Sequence, residues 1–286
     1  MSTAGNGRPV STGLIARYYD SNTRYFQAFG GSGDVAAIHR AIYAPGVGST
    51  EAAFNYLNSC VAEAIKPCIS DDSQVLDLGC GVGGTATWLA QSLAVNVTGI
   101  TISSIQQQLA TERAQQMGVQ SRCTFIAADF AQLPQLPVMD AAFAIESFVH
   151  ARSADSFFAM VAARVREGGR LVICDDFLNP ELPPQADFWI QRFKCGWYLN
   201  QLHTLQSVIE AADRHGFKLV GSSDLSAYVR GFPRPLLWLM RHLTRLPLPW
   251  TYWHNLAGGT ALQYCIQRGW TRYHVVIFEY LAVDSG

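Results

Sequence analysis

Short apolar runs alternate with amphipathic stretches along most of the chain. The runs predict strands at 74–78, 95–100, 123–127, 140–145, 170–175, 217–223 and 273–282, with helices between the first five. Upstream of the first strand, EAAFNYLNSCVAEAI has its apolar residues at helical spacing. Strand–helix alternation predicts an α/β fold, a doubly wound, mostly parallel seven-stranded sheet covered on both faces. Ligands of such sheets lie at the carboxyl ends of the strands. Asp77, Thr101, Asp129 and Glu146 fall at those ends.

Two stretches exceed what the sheet requires. NPELPPQADFWIQRFKCGWYLNQLHT follows the fifth strand. A stretch of about forty residues separates the last two strands, far longer than a hairpin turn needs. Trp189, Trp197, Trp238, Trp250 and Trp253 lie in them. With Phe193 and Tyr228 they predict an aromatic cap over a bulky apolar substrate, unless the rings only pack the cap onto the core. LLWLMRHLTRLPLPW, with Arg241, His242 and Arg245, also fits an amphipathic helix lying on a membrane or on a second copy in a homo-oligomer. The expected organisation is a disordered N-terminus over 1–12, lid helices over 13–48, and a core over 49–286 with cap insertions at about 178–205 and 228–270.

Composition narrows the class. A chain of 286 residues, 49% hydrophobic, can bury a large core. A net charge of −1 argues against nucleic acid as partner, because a basic stripe is its usual footprint. The seven cysteines are scattered without a C-x-x-C pair and read as reduced core residues of a cytoplasmic protein, not as disulfides or a metal site. The opening MSTAGNGRPVST has no apolar core for a signal peptide, and no run reaches the roughly twenty apolar residues of a membrane span.

The most informative stretch is VLDLGCGVGG, Val75 to Gly84. A strand ending in Asp77 opens into Gly79, Gly81 and Gly83 before a helix begins. Such a loop permits a tight turn and close approach of a nucleotide-like ligand to backbone N–H groups. A dinucleotide fold calls for G-x-G-x-x-G. The D-x-G-x-G-x-G spacing here instead resembles motif I of the class I S-adenosylmethionine-dependent methyltransferases. That resemblance implies that Asp77 and the glycine loop hold the amino acid part of S-adenosyl-L-methionine.

Further segments carry the resemblance over 75–177. In GITISSIQQ, Thr101 stands where most relatives have an acid, which counts against NAD. T-x-S-x-x-Q resembles the sterol, tocopherol and isoprenoid C-methyltransferases, with the cyclopropane fatty-acid synthases nearby, and implies ribose contacts from Thr101 and Gln106. CTFIAADF implies Asp129 on the adenine amino group beside Phe130. MDAAFAIESFVHA resembles the E-x-x-x-H-A segment of sterol methyltransferases, with Glu146 and His150. VREGGRLVICDDF resembles the L-K-P-G-G-x-L segment, with Glu167 in the proline position. Near the N-terminus, YYD resembles the start of the same enzymes. It makes Tyr18 a cofactor-lid residue and Tyr19 a substrate-lid residue, or else both fill a docking groove. His39, Arg40 and Tyr43 follow on a further element, where His39 reads as structural.

The implied reaction sets the roles. Alkylation needs alignment in a water-poor pocket. An alkene carbon also requires stabilisation of a carbocation and then removal of a proton. Glu146 suits that task, with His150 orienting it or sharing the proton; cofactor binding or helix N-terminal pairing is the alternative role for Glu146. The basic residues Arg24, Arg40, Arg152, Arg192 and Lys194 make a prenyl diphosphate attractive, accompanied by Mg2+ with few protein ligands. Substrate contacts are therefore expected from Tyr19, Arg40, Arg152, Trp189, Arg192, Phe193, Trp197 and Tyr228. A sterol, a tocopherol-like aromatic or a prenylated alkaloid would use the same cap without the phosphate. Transfer to oxygen or nitrogen, and a cofactor-binding homologue without catalysis, are the competing functions.

Overall fold

The computed structural model describes residues 10–29, 39–246 and 251–282. Residues 1–9 of the expected disordered segment, 30–38 of the expected lid and Trp250 lie outside the described residues, as does the side chain of Arg24. Seven strands form one sheet in the order β3-β2-β1-β4-β5-β7-β6 among the described residues. They are β1 Gln74–Leu78, β2 Asn96–Thr101, β3 Cys123–Ala127, β4 Met139–Ile145, β5 Val165–Leu178, β6 Phe217–Asp224 and β7 Thr271–Tyr280. The first five pair in parallel, whereas β7 runs antiparallel to both β5 and β6. Strand order reverses between β1 and β4, and that switch point opens the crevice in which such sheets bind ligands.

The helices are α1 Thr12–Phe29, α2 Thr50–Ile65, α3 Gly84–Leu93, α4 Ser104–Gln116, α5 Ala154–Ala162, α6 Ala186–Trp197, α7 Leu205–Arg214, α8 Arg234–Leu243 and α9 Thr251–Gln267. Serine caps start several of them: Ser49 accepts from Ala52 N at 3.0 Å and Ser103 from Gln106 N at 3.1 Å. No helix joins β3 to β4, contrary to expectation. Only a 3-10 turn, Phe130–Gln132, stands there, because Pro134 and Pro137 remove N–H donors from a short connection.

Successive residues of β1 point to opposite faces. Val75 packs with Leu57, Val61 and Leu89 of α2 and α3, while Leu76 packs on the other side with Phe157, Phe158 and Val208 of α5 and α7. Strand β5 extends well past the expected 170–175: it pairs with β4 at Val165 and, after an irregularity, over 170–174, and pairing with β7 carries it on to Leu178. A third cluster joins α6 to α9 through Trp189, Phe193, Leu262 and Cys265. These helices meet at Gly196 and Gly258, where a Cβ on Gly196 would lie 2.5 Å from the Gly258 Cα. All seven cysteines are free, but Cys195 is exposed and so is not a core residue. Among the described residues no helix is long and apolar enough to cross a membrane.

Candidate active site

A cavity of about 400 Å³ opens over the carboxyl ends of β1, β2, β4 and β5, walled on the outer side by α1 and α6. The glycine loop forms its floor. Gly79 has φ +97°, and its N–H and that of Cys80 both donate to the Ile100 carbonyl at 2.9 Å. A Cβ at Gly79 would sit 2.4 Å from the Ser147 Cβ, so the loop closes onto the start of the segment that carries Glu146 and His150. Gly81 also lines the cavity. Gly83 does not: it caps α3 with φ +80°, packed against Ala110 and Phe125.

Asp77 faces the cavity, almost fully buried at 3% exposure, and no donor among the described residues reaches its carboxylate. Burial pushes its pKa well above the usual carboxylate range. A buried acid without a partner, at the floor of a cavity, is suited to receive a cationic group from a ligand.

The adjoining wall holds Thr101, Gln106, Asp129 and Phe130. Their polar groups also contact α1. Thr101 donates to Gln106 Oε1 at 2.7 Å and the Gln106 amide donates to Thr23 at 3.2 Å. Thr12 donates to Asp129 at 2.8 Å, and Ser103 donates to Asp20. The buried Tyr18 and its neighbour Tyr19 line the cavity from α1. The Tyr19 hydroxyl lies 2.9 Å from Nε2 of His150, whose pKa burial lowers to about 4. Burial, followed by the charge of Glu146, raises the pKa of Tyr19 above its ordinary value.

Glu146 stands at the end of β4 with φ +52°, a left-handed conformation that costs a non-glycine residue about 1–2 kcal/mol. Its Oε1 accepts from the Arg40 backbone N at 3.0 Å and from the Tyr273 hydroxyl at 3.0 Å, and lies 3.1 Å from the Arg40 Nε. Each of these contacts uses Oε1, and Glu146 lines the cavity. The Arg40 guanidinium also donates to both oxygens of Asp176, one at 3.0 Å, and lies 4.4 Å over the Tyr273 ring. Burial opposes its charge, but the carboxylates of Asp176 and Glu146 hold its pKa well above the ordinary value. Asp175 accepts from Val149 N at 3.2 Å and from Asp176 N at 2.9 Å, and burial followed by the charge of Asp176 pushes its pKa well up.

Arg40, Arg152, Phe193 and Trp197 also line the cavity, with Arg152 exposed at its edge. The structure does not bring Trp189, Arg192 or Tyr228 to it. Trp189 packs against Tyr264 of α9 with ring centroids 4.7 Å apart, and Arg192 stands beside Phe188 on the outside of α6. Tyr228 is held by its carbonyl, which accepts from Tyr43 N at 2.9 Å. The sequence reading passed over Asp175, Asp176 and Tyr273. The two aspartates sit in the quoted VICDDF run, where an acid pair ending an apolar strand was the available signal; Tyr273 had none.

Comparisons with known proteins agree with this architecture. Methyltransferase GfsG of Streptomyces halstedii is 31% identical over 57% of this chain and 59% of its own length. The sterol 24-C-methyltransferase erg-4 of Neurospora crassa is 27% identical over 79% of this chain and 58% of its own. The chain thus spans under two thirds of these relatives. The geranyl diphosphate C-methyltransferase of Streptomyces coelicolor, solved with Mg2+, geranyl diphosphate and S-adenosyl-L-homocysteine, superposes with a TM-score of 0.69 at 17% identity, over 96% of this chain and 100% of that one. That likeness shows the fold, a Rossmann-like methyltransferase sheet. The family model described as mycolic acid cyclopropane synthetase matches residues 15–226, and the chain belongs to that family.

Proposed function

We propose that this protein is an S-adenosylmethionine-dependent methyltransferase that acts on an alkene carbon of a hydrophobic, isoprenoid-like small molecule. The observation that carries the reading is Asp77, a buried carboxylate to which no described residue donates, opening into the same cavity as Glu146 and His150. It fits the ammonium of the cofactor's amino acid part. Gly79 and Gly81 let that part approach the backbone, and Thr101, Gln106, Asp129 and Phe130 supply the wall for its nucleoside. When bound, S-adenosylmethionine supplies an electrophilic methyl group.

The protein's own contribution is alignment, exclusion of water and charge. Tyr273 and Arg40 hold Oε1 of Glu146 and so fix the carboxylate at the cavity wall, where its charge would favour a cation on the substrate and it would take up the proton. Phe193 and Trp197 offer aromatic faces to the same region. The α1 helix and the insertions at about 178–205 and 228–270 act as lid and cap around this site. Arg40 is committed to two carboxylates, Arg192 lies outside the cavity and Arg152 stands exposed at its edge as a single cation, which supports an uncharged substrate better than a prenyl diphosphate with Mg2+. The second reading, transfer to oxygen or nitrogen, rests on the His150–Tyr19 pair, a neutral imidazole at the cavity wall.

The test is incubation with methyl-labelled cofactor and a panel of sterols, prenylated indoles and prenyl diphosphates, reading product mass and the methylated atom. A new C–CH3 with loss of a substrate proton supports the reading. A methyl on oxygen or nitrogen supports the second, and product from the diphosphates alone overturns the uncharged substrate.

A further inference from the structure

The stretch from Leu225 to Phe278 contains six arginines, no lysine and no acidic residue, in a chain that carries 22 Asp and Glu. Near its start is α8. Leu237 of that helix is buried and Arg241 donates to the Tyr264 hydroxyl of α9 at 3.4 Å, so this side faces the molecule. The opposite side presents Leu236, Leu239 and Leu243 at spacings of three and four, one stripe of a helix; Trp238, stacked on the exposed His242 with ring centroids 4.9 Å apart, widens the exposed face on one flank, and Leu246 lies just beyond. Trp238 is 58% exposed and Leu246 55%, values far from those of packed residues. Among the described residues nothing covers this face.

We propose that α8 seats the molecule on an anionic lipid surface. Leucines and a tryptophan entering the headgroup boundary, with arginines on the same helix and no acid in the same stretch of chain, are what an interfacial helix requires. Arg234 and Arg245 are exposed near the two ends of α8, on the flank shared with Arg241, with Arg245 over the rings of Phe188 and Trp189 of α6; Arg230 is exposed just upstream, stacked 3.5 Å over the Tyr43 ring. Charge decides against a second copy as the occupant. A two-fold contact would place the same patch against itself and bring arginines opposite arginines, whereas an anionic bilayer complements them. The helix is one layer removed from the site, since α8 packs on α9, and α9 and α6 contribute Asn255, Phe193 and Trp197 to the cavity wall.

The experiment is flotation of the full chain with vesicles of phosphatidylcholine alone, and with roughly one third phosphatidylglycerol added. Binding is expected only to the anionic vesicles and should weaken severalfold as salt rises from about 0.1 to about 0.5 M. Trp238→Ser/Leu239→Ser should abolish it, and Arg234→Glu should lower it by roughly tenfold or more, since each basic side chain contributes about fivefold near such a surface. Unchanged melting temperature of the variants certifies the fold. Absence of flotation, equal flotation with neutral vesicles, or a solution dimer dispersed by Trp238→Ser/Leu239→Ser would each overturn the proposal, the last in favour of a second copy.

Discussion

Glu146 occupies the most constrained position in the site, with a left-handed backbone, an arginine on one side and a tyrosine hydroxyl on the other. Glu146→Gln keeps its shape and removes its charge. Turnover is expected to fall about 100-fold or more, near 2.7 kcal/mol of transition-state stabilisation, with cofactor affinity almost unchanged. Near-normal turnover in that variant would move the reaction to oxygen or nitrogen. His150 gives a different signature. Its pKa in the folded protein, about 4, lies below the ordinary 6.5. Between these values the unfolded chain binds a proton that the folded chain excludes, so stability falls as pH drops through this window and is full above it. Denaturation at a series of pH values should show a shallower decline for His150→Gln than for the native chain. Parallel curves would mean that the imidazole is not buried as described.

At the scale of elements, α1 is the part whose contacts concern the ligand most. Thr12, Tyr19, Asp20 and Thr23 bond to Asp129, His150, Ser103 and Gln106, residues at the ends of β3 and β4 and around the β2–α4 junction. Amides within 12–29 are therefore expected to gain hydrogen-exchange protection when S-adenosylhomocysteine binds, while β1 and β4 change little. Equal protection with and without ligand would make α1 static packing. The N-terminal tyrosines and the glycine loop were legible because each lies in a local pattern. The Arg40–Glu146–Asp176–Tyr273 group was not, because its members come from segments joined only by the fold and no spacing links residue 40 to residue 273. Likewise, apolar periodicity marks a helix face as buried without naming its neighbour. That is why Trp189 turns to α9 and not to the cavity.

For the whole molecule, the positions of the strands along the chain followed from apolar periodicity, and the missing helix before β4 followed from two prolines whose weight the periodicity does not carry. The glycine-loop end of the cavity was readable as a motif, whereas the end walled by α6 and α9 depends on how these helices pack. The account as a whole rests on the cofactor lying over Asp77. Calorimetric titration of the full chain with S-adenosylhomocysteine, repeated on Asp77→Asn, tests this most directly. Micromolar-order binding, about −8 kcal/mol, is expected for the native chain, with no heat from NAD. The variant should lose about 1.5–3 kcal/mol, as for a charge-assisted hydrogen bond, while its ligand-free form melts no lower, since the buried unpaired acid is gone. Undetectable binding, preference for NAD, or an affinity untouched by Asp77→Asn would contradict the account.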